Sequence, residues 1–335
     1  VEAALLSKQL NVPIKVMWTR EDEVKNGYYH AVSYQKLVAG IDENNQVTAW
    51  QHHVAEPPIG STFSKGADLI GSEASLGFID MPYDIANVSC AIGKAPAHTR
   101  IGWMRSVTNI NHVFAISSFI DELAQAKGVD SKDNLIAMLG ADRKIDFAKE
   151  NADYSNYGET LDKFPVDTAR MKAVIERVSK MAKWGRKLPK GHGLGIAMHR
   201  SFVSYVACIV EVSENSDGKI KVNDVWMAVD CGLAVNPERI RSQMEGAAIF
   251  ALSLTFFSEL TAKNGVIEQN NFDSYQVARI ADAPTTHVEI IESDAPPGGV
   301  GEPGVPPIAP AICNAIFNAT GKRYRELPLK KYGIV

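Results

Sequence analysis

Hydrophobic positions along the chain switch repeatedly between a helical and an extended period, and each switch predicts an element boundary. Ala3, Leu6 and Leu10 recur at spacings of three and four, which predicts a helix over residues 1–10 that Asn11 and Pro13 stop. Ile14–Trp18 reads as a short strand, and Thr19 as the N-cap of the acidic turn Glu21-Asp22-Glu23. Two strand-like runs, Tyr34–Ile41 and Val47–Ala55, flank the polar stretch Asp42–Gln46 and predict a hairpin. Residues 56–100 are rich in Gly, Pro and Ser and carry little periodicity, so loops and short elements are expected there. Val113, Ile116, Ile120, Leu123 and Ala124 form one stripe and predict a long helix over Asn109–Lys127, with a second helix over Ser131–Leu139.

Polar, unperiodic residues 140–165 mark the expected domain boundary, giving a first unit over 1–145 and a second over 146–335. The second half opens with an amphipathic helix, Asp167–Trp184, along which Met171, Val174, Ile175, Val178 and Met181 follow the helical period. Two long strands, Leu194–Val212 and Ile220–Val229, are expected on either side of the turn Glu214–Lys219. A helix over Pro237–Leu260, a turn at Asn264-Gly265 and a strand over Thr286–Glu292 follow. A Gly/Pro loop at 294–307 then leads into a last helix, Ala309–Thr320, closed by Gly321. The predicted class is α+β: two mixed α/β subdomains in which β-hairpins pack against helices.

Composition narrows the function classes without choosing one. The 335 residues suffice for two domains, and 45% hydrophobic with 22% charged residues is ordinary for a globular chain. A net charge of -4 argues against a nucleic-acid-binding surface, which is normally basic. No apolar run reaches the roughly 18 residues that a membrane-spanning helix needs. The four cysteines, Cys90, Cys208, Cys231 and Cys313, are far apart and include no Cys-x-x-Cys, so they read as small buried residues rather than ligands. The adjacent His52-His53 pair, on a strand, points to opposite faces, and His192 and His199 straddle a glycine-rich turn; no metal-ligand set is expected.

Gly299-Val300-Gly301-Glu302-Pro303-Gly304 matches the dinucleotide fingerprint letter for letter. That reading fails on chemistry. Pro303, Pro306 and Pro307 remove N–H donors where a pyrophosphate would sit, and the Glu302 carboxylate would face its charge. What the loop offers instead is an acidic side chain on a stretch stiffened by proline, with glycine permitting close approach and the next helix offering its positive end.

The stretch Ala295–Ala311 resembles the active-site loop of the xanthine dehydrogenase/aldehyde oxidase family of molybdenum hydroxylases, most nearly that of the isoquinoline 1-oxidoreductase large subunit. Further segments agree in order. Val16–Asp22 resembles the strand and turn after the family's first glycine-rich loop, and Met104-Arg105-Ser106-Val107 with Ser118–Ala124 its arginine loop and following helix. Tyr205–Val212, Val229–Gly232, Val235-Asn236-Pro237 and Gln243-Met244-Glu245-Gly246 follow its second molybdenum domain. Two positions depart: Phe250-Ala251 stands where relatives often carry another glycine, and Ser117 where glutamate is common.

The resemblance implies a molybdenum–molybdopterin cofactor, in the cytosine dinucleotide form, and oxidative hydroxylation of an N-heterocycle or aldehyde with water as the oxygen source. It makes Glu302 the general base, lets Gly301 bring the backbone close to the metal, and gives Gln243 a hydrogen bond to the cofactor and Arg105 a place in the cavity wall. It also implies a partner iron–sulfur subunit with [2Fe-2S] clusters, and a first glycine-rich loop upstream of Val1, without which this stretch is expected to hold no cofactor alone. From the residues themselves, a non-catalytic scaffold of the same fold and an unrelated carboxylate hydrolase stay open.

Overall fold

A computed structural model describes residues 1–149 and 152–335. Helix α1 (Glu2–Leu10) ends where Asn11 turns left-handed at φ 54°. The strand expected at Ile14–Trp18 does not form. Residues 13–19 carry no regular structure, and Met17 and Trp18 are exposed, so this apolar run finds no ladder partner among the described residues. Thr19 caps α2 (Arg20–Asn26) through a capping box with Asp22. β1 (Tyr34–Ile41) and β2 (Val47–Ala55) form the expected antiparallel hairpin. A strand missing from the sequence reading, β3 (Asn87–Gly93), runs parallel to β2, and its exposed edge position explains its weak apolar signal.

α3 (Asn109–Lys127), α4 (Ser131–Met138) and α5 (Thr168–Met181) follow, with Asp130 and Asp167 capping the last two through side-chain oxygens. The expected boundary stretch runs through positions 150 and 151, which lie outside the described residues. The expected strand Leu194–Val212 is two strands, β4 (His192–Ser201) and β5 (Ser204–Glu214). Phe202 and Val203, at φ 50° and 57°, make a two-residue hairpin turn without the Asn or Gly that normally announces one. β6 (Ile220–Asp230), α6 (Pro237–Phe256), the small β7 (Ala262–Lys263) and β8 (Val266–Ile267) hairpin, β9 (Thr285–Ile290) and α7 (Ile308–Thr320) complete the chain.

The larger sheet has the order β4-β5-β6-β9, antiparallel except for the parallel β6/β9 pair. β5 is buried on both faces, which its near-continuous apolar run Tyr205–Val212 requires. Val206, Cys208, Val210 and Val212 face α6 and α7, whereas Tyr205, Ala207 and Ile209 join a core that includes α3 and α5 and takes Val47 and Trp50 from β2. The core is therefore continuous across position 145. Gly195 lets β4 lie directly on α7: a Cβ there would sit 2.1 Å from the Ala311 carbonyl oxygen. None of the described helices is long and apolar enough to cross a membrane.

Candidate active site

Three segments meet at one edge of this packing: the loop before α3, the first turns of α6, and the Gly/Pro loop that enters α7. The Gly/Pro loop is anchored at its upstream arm by backbone bonds. Leu233 N donates to Ala295 O at 2.9 Å, Gly298 N to Cys231 O at 2.8 Å and Gly299 N to Phe202 O at 2.9 Å. Glycine is required where it passes other chain: a Cβ on Gly298 would lie 2.5 Å from Ser204 Oγ, and one on Gly304 would lie 2.9 Å from Ala247 Cβ and 3.0 Å from Met244 Sδ. Gly301 differs. It is exposed, and a Cβ there would meet nothing within 4 Å, so its open side faces away from the protein.

Arg105 ties the three segments together. Its Nε donates to Gly301 O at 2.8 Å, and its Nη2 donates to both Gln243 O and Gln243 Oε1 at 3.1 Å. The guanidinium lies over the Phe250 ring, 5.6 Å from its centroid. His30 Nε2 contacts the Arg105 carbonyl oxygen at 3.0 Å and packs edge-on to the same phenylalanine. Burial lowers the Arg105 pKa and the nearby Glu302 charge opposes that fall; the guanidinium stays a cation. Because Arg105 takes Gln243 Oε1, the exposed side-chain amide keeps its Nε2 donors without a hydrogen-bond partner among the described residues.

Glu302 is half-buried at the centre of this arrangement. Ser106 N donates to its Oε2 at 2.6 Å, and Ser106 Oγ donates to its carbonyl oxygen at 2.8 Å. Oε1 has no hydrogen bond among the described residues. The helix end expected to serve this carboxylate, that of α7, gives it no hydrogen bond; Glu302 turns back through Val305 N, which donates to its carbonyl at 3.0 Å, and meets the approach to α3 instead. Ser106 and Val107 both adopt left-handed backbone, φ 71° and 48°, a conformation disfavoured for serine and more so for a β-branched residue. Strain of this kind persists only where surrounding bonds over-determine it.

The structure thus brings Glu302, Gly301, Gln243 and Arg105, nearly 200 residues apart in sequence, into one hydrogen-bonded group. A concavity of about 400 Å³ lined by residues such as Thr62, Asp68 and Arg100 contains none of them. Sequence reasoning did not single out Ser106, which acts through its backbone, His30, which acts through a carbonyl, or Phe250, which it treated only as a departure. Backbone donors carry no residue-type signal. Among the described residues no group of three or more His, Cys, Asp and Glu side chains is placed to hold a metal ion.

Comparison with known proteins bears on what this group serves. Two family models, each described as a molybdopterin cofactor-binding domain, match residues 1–133 and 136–284. The chain belongs to the molybdopterin cofactor-binding family. It is 29% identical over 98% of its length to a membrane-bound aldehyde dehydrogenase [pyrroloquinoline-quinone] of Gluconacetobacter polyoxogenes. It is 27% identical, again over 98%, to the beta subunit of isoquinoline 1-oxidoreductase of Brevundimonas diminuta. The chain spans 43% and 40% of the length of these relatives. In fold, this member of the family is similar to quinoline 2-oxidoreductase from Pseudomonas putida 86, with TM-score 0.72 at 12% identity over 98% of this chain and 64% of that one. It also resembles the aldehyde oxidoreductase of Desulfovibrio desulfuricans, with TM-score 0.68 at 13% identity over 97% of this chain and 51% of that one.

The residues present fit the end of a molybdopterin-held metal. The face formed by Gly301, the Gln243 amide and the free Glu302 oxygen combines an unobstructed backbone, outward donors and a proton acceptor. A metal carried by its own organic ligand would meet donors and a proton acceptor at such a face.

Proposed function

We propose that this chain forms the catalytic part of a molybdenum-dependent hydroxylase that oxidises an electron-poor carbon of an N-heterocycle or an aldehyde, with water as the source of oxygen. The observation that carries the reading is the Glu302 carboxylate, fixed at Oε2 by Ser106 and open at Oε1, beside the Arg105–Gln243 clamp. When bound, the molybdenum cofactor supplies a Lewis acid and a two-electron acceptor. Glu302 Oε1 accepts the proton of the attacking, water-derived oxygen as the new C–O bond forms. Ser106 keeps the carboxylate from rotating, so the free oxygen keeps its aim. Gln243 would offer its amide donors to the cofactor, Gly301 would leave room for it beside the backbone, and Arg105 joins the two segments that carry them. Net, C–H and water become C–OH with release of two protons and two electrons.

We assign the cofactor to the cytosine dinucleotide form and the departing electrons to [2Fe-2S] clusters on a partner iron–sulfur subunit, since the four cysteines here include no Cys-x-x-Cys and no group of three metal-binding side chains gathers among the described residues. Relatives whose names mark them as parts of an assembly, the beta subunit of isoquinoline 1-oxidoreductase and one subunit of a nicotinate dehydrogenase, support a complex of this kind. The test is metal and nucleotide analysis of the full-length polypeptide purified with its partner, followed by dye-linked assays on N-heterocycles and aldehydes. Molybdenum, cytidine monophosphate on acid hydrolysis and dye reduction support the proposal. Absence of molybdenum under conditions that load a relative would leave a scaffold of the same fold, and turnover without metal or dye would indicate hydrolysis.

A further inference from the structure

The contact that fixes Glu302 depends on an unfavourable backbone conformation at Ser106, and a second, deeper set of side chains holds it. Asn109, fully buried at the start of α3, donates to the Ser106 carbonyl twice, from its own N and from Nδ2, each at 3.0 Å. With Nδ2 so engaged, its Oδ1 points inward as an acceptor. Tyr157 Oη donates to it at 3.1 Å, and His199 Nε2, on β4, lies 2.8 Å away. An amide oxygen can only accept, so His199 donates from Nε2. Burial pushes the His199 pKa down to about 3 and raises that of Tyr157, so both are neutral near pH 7 and each carries the single proton the arrangement needs. The same cluster reaches the other arm of the Glu302 loop: the Tyr157 ring packs 4.8 Å from Phe202, whose carbonyl accepts from Gly299 N. Gly77 closes against it, and a Cβ there would already stand 3.4 Å from His199 and 3.5 Å from Asn109 Oδ1.

We propose that Asn109, oriented by His199 and Tyr157, is a positioning residue for the general base, holding Ser106 in the left-handed conformation that aims its N–H at Glu302. The inference rests on the proposed role of Glu302 for its kinetic consequence, and on geometry alone for its structural one. Without the His199 proton only Tyr157 holds the Asn109 Oδ1, the amide is less firmly oriented, its Nδ2 bond to the Ser106 carbonyl weakens, and the strained turn relaxes toward ordinary backbone, taking its N–H away from the carboxylate.

The experiment uses the full-length holoenzyme with its partner and compares His199→Leu with His199→Gln, whose amide can still donate to Asn109. His199→Leu is expected to lower kcat by about 10- to 100-fold, the scale of a misplacement near 1 Å, with KM held within about two-fold. Hydrogen exchange of the peptide containing Ser106 should quicken while β5 stays protected, and His199→Gln should recover both readouts to within a few-fold of the native values. Asn109→Ala repeats the comparison from the other side of the contact, should the leucine variant not accumulate. Unchanged exchange at Ser106 in His199→Leu, or a glutamine variant no better than leucine, overturns the inference. Exchange reads the backbone whether or not the protein turns over. An enzyme indifferent to Glu302→Gln whose Ser106 peptide still responds to His199 would therefore refute the proposed function and leave the positioning intact.

Discussion

Replacing Arg105 with lysine keeps the positive charge and removes the fork that joins the Gly301 and Gln243 backbones. The native side chain makes three hydrogen bonds, at 2.8, 3.1 and 3.1 Å, from two nitrogens whose spacing is fixed by the guanidinium plane. A lysine ammonium is a point donor and can satisfy one of these carbonyls at a time. Two bonds from a charged donor are therefore lost, each worth roughly 1.5–3 kcal/mol when buried. Arg105 is only half-buried, so water and salt replace much of that, and about 1–1.5 kcal/mol for the pair is the better figure. The exposed-type contact with the Phe250 ring adds about 0.5–1 kcal/mol. A total near 2 kcal/mol, spent on loop geometry at the reacting centre, corresponds to a loss of about 30-fold in kcat/KM. The melting temperature should fall by no more than about 3 °C, because a change of about 2 kcal/mol is set against the large unfolding entropy of a chain of 335 residues. The assay is steady-state turnover of the full-length enzyme with its partner, normalised to molybdenum, beside a thermal scan. A lysine variant with kcat/KM within two-fold of native, or one that loses stability instead of turnover, would show that Arg105 is an ordinary loop salt-bridge residue and not a clamp.

Three further outcomes follow from the packing. Gly195→Ala would force a Cβ to within 2.1 Å of Ala311 O and 2.3 Å of Ala315 N, both backbone, so β4 and α7 must separate; denaturant unfolding should show a loss at or above the upper end of the usual ~1–3 kcal/mol for overpacking. Asp230→Ala removes the carboxylate that Arg170 grips through Nε at 2.7 Å and that also accepts from Gly232 N at 3.1 Å, leaving a cation largely buried without its partner, and should cost about 3–5 kcal/mol in the same assay. Burial pushes the Glu56 carboxyl from 4.5 up to about 8, against Asn111 and beside His112 and Glu73, so the folded protein keeps a proton there that the unfolded chain releases. Native stability should then fall as pH rises from about 4.5 through about 8, and Glu56→Gln should gain on the native protein by up to about 1.4 kcal/mol per pH unit across that window; parallel pH–stability curves would contradict the assignment.

Helices were the most legible part of this chain, because a stripe such as Val113, Ile116, Ile120 and Leu123 has one explanation, and cap residues such as Thr19 and Gly321 mark where one helix starts and another stops. Strands were legible where a polar turn separated them. Phe202-Val203 hid the break between β4 and β5, since two apolar residues in a left-handed turn look like strand interior; in the fold Phe202 O accepts from Gly299 N of the Glu302 loop. β3 escaped notice because its pairing with β2 is parallel and distant in sequence, and its side chains are exposed. In the active-site group, Pro303, Pro306 and Pro307 together with the Glu302 charge argued against a pyrophosphate site, and family resemblance pointed to Gln243 and Arg105. Their mutual bonds are a property of three-dimensional closure, and the N–H of Ser106 could belong to any residue type except proline.

The central claim is that the free oxygen of Glu302 takes the proton in the chemical step. The direct measurement is the anaerobic rate at which substrate reduces the full-length, molybdenum-loaded enzyme, native against Glu302→Gln, with metal content measured on the same samples. Glutamine keeps the size of the side chain and an oxygen able to accept from Ser106 N, but it is not a base. A fall of at least about 10²- to 10⁴-fold at unchanged molybdenum is predicted. A rate within ten-fold of native would place the base elsewhere and contradict the account.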